Sequence, residues 1–256
     1  MRSIITPAWG HDVPCLILVG GLGTRLRPAL GDIPKPMAPI AGKPFLEYLI
    51  RWIGQAGFTH VVLCLGYRAD QIVEHFGCGD AFGLKLTYSF ESEPLGTWGA
   101  IRLARKYINH PYFVVLNGDS WLQVDLYRLL DFHLEKNGIS SIAAVEVENA
   151  SRFGSIHLDP SGRVTEFLEK QAAGTALING GVYVFSRGAL EIEGSAAACS
   201  LEKEILPALI PRGVYAMRLK GYFVDIGVPE AYRRLASDAG SWLKALEVQS
   251  ANEGKC

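Results

Sequence analysis

Fully apolar runs bounded by glycine alternate with helical spacing along the first 120 residues. CLILV (15–19) puts five apolar residues in a row before Gly20, the pattern of a strand buried on both faces. FLEYLIRWIGQAG (45–57) carries apolar positions at helical spacing and stops at Gly57. HVVLCLG (60–66) predicts a second buried strand, and RADQIVEHFG (68–77) a helix ending at Gly77. LKLTYSFE (84–91) alternates as a strand, and TWGAIRLARKYI (97–108) predicts a helix. YFVVLNGD (112–119) is a fourth strand, ending on an acid. Strand and helix in strict alternation predict a doubly wound, mostly parallel sheet.

Beyond residue 120 the rhythm changes. SIAAVEVE (141–148), GSIHLDPSGRVTEFLEK (154–170) and LINGGVYVFS (177–186) predict strands joined by turns, with DPSG as a turn signal. SLEKEILPALI (200–210) predicts a helix opened by Ser200, with Glu202 and Glu204 near its positive end. GVYAMRLKGYFVDIG (213–227) predicts a pair of strands, and PEAYRRLASDAGSWLKALEV (229–248) a closing helix. QSANEGKC (249–256) is polar and expected to fray. The expectation is a single α/β domain with a Rossmann-like mixed, mostly parallel sheet. A short extension (1–14) precedes the domain (15–240), whose halves are 15–125 and 126–240, and a tail (241–256) follows.

At 256 residues and 49% hydrophobic content, the chain can bury a sizeable core without metal or disulfide staples. A net charge of -1 offers no basic field for nucleic acid or an anionic membrane, so small-molecule substrates are expected. Five cysteines with no C-x-x-C pair, and no apolar h-region at the start, point to the cytoplasm. No run approaches the roughly 18 apolar residues that a membrane span needs. The six histidines show no zinc-ligand spacing.

The candidate chemistry begins in GGLGTRLRPALGDIPKP (20–36). A P-loop needs G-x-x-x-x-G-K-[ST], which is absent. A dinucleotide fingerprint needs a third glycine where Leu26 stands, and an acid after the second strand where Tyr67 and Arg68 stand. A plain strand-to-helix turn with solvated cations remains possible. A polyphosphate cradle uses more of the sequence: Gly20, Gly21 and Gly23 bring backbone close to an anion, Arg25 supplies a planar fork, and Lys35 a point charge between Pro34 and Pro36. Transfer at a phosphate needs a divalent cation. Asp119 ends a buried strand, and Asp225 sits in the apolar YFVDIG, where an unpaired carboxylate is costly.

The loop resembles the signature of the sugar-1-phosphate nucleotidyltransferases, G-x-G-T-R, a spacer and P-K-P. The resemblance extends in order through EPLGT, GD, FG, EK, NGG and DIG, from residue 15 to about 230. It implies that Arg25, Lys35 and Lys170 are catalytic, and that Gly20, Gly21, Gly23, Thr24, Glu93, Pro94, Gly96 and Thr97 hold the nucleotide. It implies that Gly154, Glu169, Lys170, Asn179 and Gly180 meet the sugar phosphate, and that Asp119 and Asp225 bind Mg²⁺. Within the family, details such as SRFGSIHL and LINGGVYVF most resemble the branch that guanylylates a heptose 1-phosphate. GTP and D-glycero-α-D-manno-heptose 1-phosphate are then the expected substrates, with mannose, glucose or N-acetylmuramate 1-phosphates and UTP or dTTP as alternatives. Trp98 departs from the small residue usual in the family, and its ring is expected to reshape the base loop. A regulatory subunit that binds nucleotide sugars without chemistry is the alternative of another class. Trp242 and Leu243 could face the core or a second copy in a homo-oligomer.

Overall fold

The computed structural model describes residues 12–21, 23–168, 174–194, 196 and 198–253. The strands are β1 (Cys15–Leu18), β2 (Pro39–Ile40), β3 (Lys43–Pro44), β4 (His60–Leu65), β5 (Lys85–Phe90), β6 (Tyr112–Asn117), β7 (Ser120–Leu122), β8 (Ser140–Val147), β9 (Ser155–Leu158), β10 (Val164–Leu168), β11 (Ala176–Ser186), β12 (Val214–Leu219) and β13 (Phe223–Asp225). The helices are α1 (Arg27–Leu30), α2 (Phe45–Gln55), α3 (Ala69–Phe76), α4 (Gly96–Leu103), α5 (Leu126–Lys136), α6 (Leu206–Leu209), α7 (Pro229–Ser237) and α8 (Gly240–Glu253).

β5, β4, β1 and β6 lie side by side and parallel, as the alternation predicts. β1 is flanked by β4 and β6, so both of its edges are paired. Cys15 and Ile17 enter one core and Leu16 the other, following the two-residue period of a strand. The sheet then turns mixed. β11 runs antiparallel to β6 on one edge and to β8 on the other, and β12 closes that side parallel to β8. The β9–β10 hairpin joins through one pairing, Ile178 with Ser155. The order of the strands reverses at β1, with β4 and β5 on one side of it and β6 on the other, and the crevice outside the carboxyl ends of β1 and β6 is where an open α/β sheet binds ligands.

Several expectations need correction. β12 and β13 do not pair with each other. β12 joins the main sheet, whereas β13 forms a separate two-stranded ribbon with β7, a strand with no prior signal. The helix predicted at 200–210 opens at Ser200, whose Oγ accepts from Lys203 N, but as a wide π-turn (Leu201–Ile205). Pro207 has no N–H for the carbonyl four residues back, and an ordinary α-turn resumes only around it. The closing helix is two helices, α7 and α8, broken at Asp238. α8 is no loose tail at its start: Trp242 is fully buried, stacks on Phe45 and meets Trp121 of β7 edge-on. Leu243 packs against the same core. α5 went unpredicted, although Asp125 caps it by accepting from Arg128 N and apolar residues follow at helical spacing.

Candidate active site

Three carboxyl-end loops of the parallel strands, with two other segments, surround a cleft of about 360 Å³. Gly20, Gly21, Gly23, Thr24 and Arg25 come from the loop after β1. Lys35 and Pro36 come from a short 3-10 turn (Lys35–Met37), which the extended Pro34 leads into the cleft. Glu91, Pro94, Gly96 and Thr97 follow β5, and Asn117, Gly118 and Asp119 follow β6. Gly227 closes the far wall. The glycine loop, the base-loop segment and Asp119 thus share one space.

Asp225 is delivered by the β7–β13 ribbon. Asp225 pairs with Ser120, and Ile226 N donates to Asp119 O at 3.0 Å, which sets the two aspartates at one corner. Each carboxylate already has a cation: Lys35 Nζ pairs with Asp119 Oδ2, and Arg152 stands 3.5 Å from Asp225 Oδ1. Gly227 N also donates to Asp225 Oδ1. Burial and the neighbouring Asp119 push the Asp225 carboxyl up, while Gly227 N–H, Lys35 and Arg152 pull it back. Two neighbouring carboxylates, one of them partly buried, suit a divalent cation. No group of three or more His, Cys, Asp or Glu among the described residues could hold a metal by itself. Magnesium commonly takes only one or two carboxylates and completes its shell with phosphate and water, so this pair fits it.

Other expected residues fall differently. Glu93 is exposed and off the cleft wall, because the chain turns at residues 92–94; Glu91 lines the cleft in its place. Glu91 Oε2 accepts from Leu95 N at 3.1 Å, and burial pushes its carboxyl up, only partly offset by that N–H. A Cβ on Gly20 would come within 2.9 Å of Glu91 Oε1, which puts that oxygen against the glycine loop. The signal was present: Glu91 is an acid directly after a strand, as Asp119 is.

Trp98 lies outside the residues lining the cleft. Its ring is fully buried beneath α4, beside Phe185, with Nε1 donating to Ile192 O at 3.1 Å. The start of α4 is also less open than expected, since Trp98 N donates to Cys199 O at 3.0 Å. Gly96 (φ 69°) permits this, for a Cβ there would sit 2.5 Å from Cys199 O. Thr97 Oγ1 accepts from Leu201 N at 2.7 Å, tying the base-loop segment to the π-turn.

On the expected sugar side, Gly154 immediately precedes β9, so close to β10 that a Cβ would meet Leu168 O at 2.7 Å. Asn179 and Gly180 lie in a bulge of β11, outside the residues lining the cleft. Asn179 Oδ1 accepts from Gly181 N at 3.0 Å, and its Nδ2 donates to Tyr183 OH at 2.8 Å. Glu169 and Lys170 lie outside the described residues.

A nucleotidyl transferase family model matches residues 15–241. The chain belongs to the nucleotidyl transferase family. It is 38% identical over 232 residues to a mannose-1-phosphate guanylyltransferase of Mycobacterium tuberculosis, covering 89% of this chain and 65% of that protein, so it spans less than two thirds of that relative's length. It is 36% identical to the D-glycero-alpha-D-manno-heptose 1-phosphate guanylyltransferase of Aneurinibacillus thermoaerophilus, covering 86% of this chain and 95% of the relative. Among solved structures, HddC from Yersinia pseudotuberculosis complexed with GMP-PN superposes with a TM-score of 0.79 at 37% identity, covering 88% of this chain and 98% of that one. The fold expected for this nucleotidyl transferase is the fold observed.

Proposed function

We propose that this nucleotidyl transferase moves a guanylyl group from GTP to D-glycero-α-D-manno-heptose 1-phosphate, releasing pyrophosphate and GDP-heptose. The observation that carries the reading is the aspartate corner, Asp119 with Asp225, beside a cleft that the glycine loop with Arg25 and the separate turn with Lys35 also line. A site that gathers two carboxylates, a glycine loop and the cations Arg25 and Lys35 suits a metal-bound triphosphate better than a dinucleotide.

The triphosphate lies along Gly20, Gly21 and Gly23, with Arg25 as a bidentate partner for its oxygens. Lys35 turns from Asp119 to the phosphates. An oxygen of the sugar phosphate, already ionised at neutral pH, attacks the α-phosphorus as the bond to the β-phosphate oxygen breaks. Pyrophosphate carries away the electron pair, so no general base is required. Catalysis is positioning plus charge stabilisation. Asp119 and Asp225 would hold Mg²⁺, which supplies further neutralisation of phosphate charge when bound. Lys170 is proposed for the sugar phosphate, with Glu169 at its hydroxyls.

Guanine is favoured by Glu91. Its Oε1 is free of protein partners among the described residues, and a carboxylate at a base site matches the adjacent N1–H and amino donors of guanine. Uracil and thymine offer one such donor between two carbonyls. The relatives' names and the GMP-PN complex of HddC support the same choice. Small-molecule substrates and a cytoplasmic setting accord with Cys15, Cys64 and Cys78, which form no disulfide, and with the absence, among the described residues, of a helix able to cross a membrane.

Pyrophosphate release with Mg²⁺ tests the proposal, using five nucleoside triphosphates against heptose, mannose, glucose and N-acetylhexosamine 1-phosphates. The expected signal is confined to GTP with the manno-configured heptose phosphate. A signal with mannose 1-phosphate alone reassigns the sugar, and silence with a folded protein leaves a binding subunit.

A further inference from the structure

We propose that Glu202 is a further sugar-reading carboxylate of the site beside Glu169, with Tyr183 and Asn117 as its positioning residues; this rests on the transferase reading above. Glu202 is the second residue of the π-turn and is exposed. Its Oε1 is held twice, by Tyr183 OH at 3.0 Å and by Asn117 Nδ2 at 3.3 Å. Oε2 has no partner among the described residues. Tyr183 is fully buried in mid-strand, so its hydroxyl is fixed; burial first, and the Glu202 charge second, hold that phenol well above its ordinary pKa and keep it a donor. Asn117 lines the cleft, as does Thr97, whose Oγ1 anchors the preceding residue of the same turn. Ser200 N, at the mouth of the turn, donates to Glu204 Oε1 at 2.8 Å.

A carboxylate fixed at one oxygen and bare at the other is an acceptor-only group on a rigid mount. At a phosphate-binding cleft it repels phosphate, so it does not suit the anionic end of the substrate. It suits a ring hydroxyl, which donates to it, and it orients the sugar with its phosphate turned towards the aspartate corner. Asn179 was the expected sugar contact, yet both of its polar atoms already serve Gly181 and Tyr183. Through Tyr183 its influence reaches Glu202, which is tied to the cleft wall by Asn117.

Calorimetric binding of heptose 1-phosphate and of GTP, each alone, to wild type and Glu202→Ala provides the test. We expect a sugar-phosphate affinity lower by roughly ten- to a hundredfold, the worth of a hydrogen bond to a charged group, with GTP affinity within about twofold. Monodeoxy analogues give a double-mutant cycle: removing one particular hydroxyl weakens binding to wild type and has no further effect in Glu202→Ala. Should the alanine variant be unstable, Glu202→Gln serves the same cycle with a smaller loss. Unchanged sugar-phosphate affinity, or equal losses for every deoxy analogue in both proteins, overturns the proposal. The two readings separate cleanly. Normal turnover with an indifferent Glu202→Ala sinks only the role of Glu202, whereas the predicted affinity loss in Glu202→Ala, beside a wild type that transfers nothing, sinks only the transferase.

Discussion

The strands of residues 15–119 and those of residues 140–225 build one sheet by different rules. In the first half every strand of the main sheet, β1, β4, β5 and β6, is parallel, so each one's carboxyl-end loop arrives at the same edge. Gly20, Glu91 and Asn117–Asp119 are near neighbours because the topology allows nothing else. In the second half the strands are mostly antiparallel, and site residues come by individual routes. Asp225 depends on a ribbon with β7, Glu202 on a π-turn, and Asn179 on a bulge in β11. Function in the first half is thus carried by local loops. In the second half it is carried by long-range pairings, where damage to the site and damage to the fold are harder to separate.

Asp225 offers the sharpest way to break that comparison, with the largest expected effect. Asp225→Asn keeps the shape and removes the charge, and turnover should fall about a thousandfold, equivalent to about 4 kcal/mol in the barrier. Because burial and Asp119 already disfavour its charged form, the melting temperature should hold or rise. Normal pyrophosphate release would remove Asp225 from the machinery; a collapsed fold would make it a structural residue.

His133 tests the second half without touching the cleft. It is buried on α5, its ring nitrogens facing Ser141 Oγ at 2.9 Å and Ser186 Oγ at 3.0 Å, and it meets Tyr112 edge-on. Burial lowers its pKa from 6.5 to about 4. The unfolded chain therefore binds a proton between those values that the folded protein refuses. The contribution is intact above pH 6.5 and is lost as pH falls through about 4, amounting to on the order of 3 kcal/mol. Urea titrations across that window should show stability falling with acidity, and His133→Gln should flatten the slope. An unchanged slope would locate the acid sensitivity elsewhere.

Gly180→Ala comes next. A Cβ there would stand 2.8 Å from Ala143 O and would strike Leu122 of β7. We expect a loss of about 2 kcal/mol in unfolding free energy, in the range for overpacking. Turnover should fall as well, since β7 carries the ribbon that positions Asp225. Full stability with full activity would show that the bulge has room to spare.

The same contrast explains what could be read from the chain. Parallel order, the glycine loop, and the positions of Arg25, Lys35 and Asp119 follow from local patterns, because a buried strand and its carboxyl-end loop are contiguous in sequence. Glu91 was legible by the logic applied to Asp119, but the neighbouring EPLGT string drew attention to Glu93. Trp98 was misplaced because helical periodicity does not say which core a ring enters. Arg152 and Glu202 left no signal: each acts through a partner, Asp225 or Tyr183, that is 73 or 19 residues away. The split partners of β12 and β13 were hidden for the same reason, since adjacency in sequence suggests a hairpin unless tertiary packing overrides it.

Gly21 sharpens the comparison from the other side, with the smallest effect on the fold. It lines the cleft, and a Cβ built on it meets no atom within 4 Å. Gly21→Ala should therefore change unfolding free energy by no more than about 0.5 kcal/mol, as expected at a surface position free of such constraints. If the loop cradles a triphosphate, the added methyl occupies space the phosphates need, and the nucleotide KM should rise about tenfold, about 1.4 kcal/mol, while the sugar-phosphate KM stays level. A variant that melts early but binds GTP normally would make the loop a structural turn. The opposite result, a silent change in stability with a selective loss of nucleotide, is what a first half built from independent loops requires, and Gly180 on the other side should never show it.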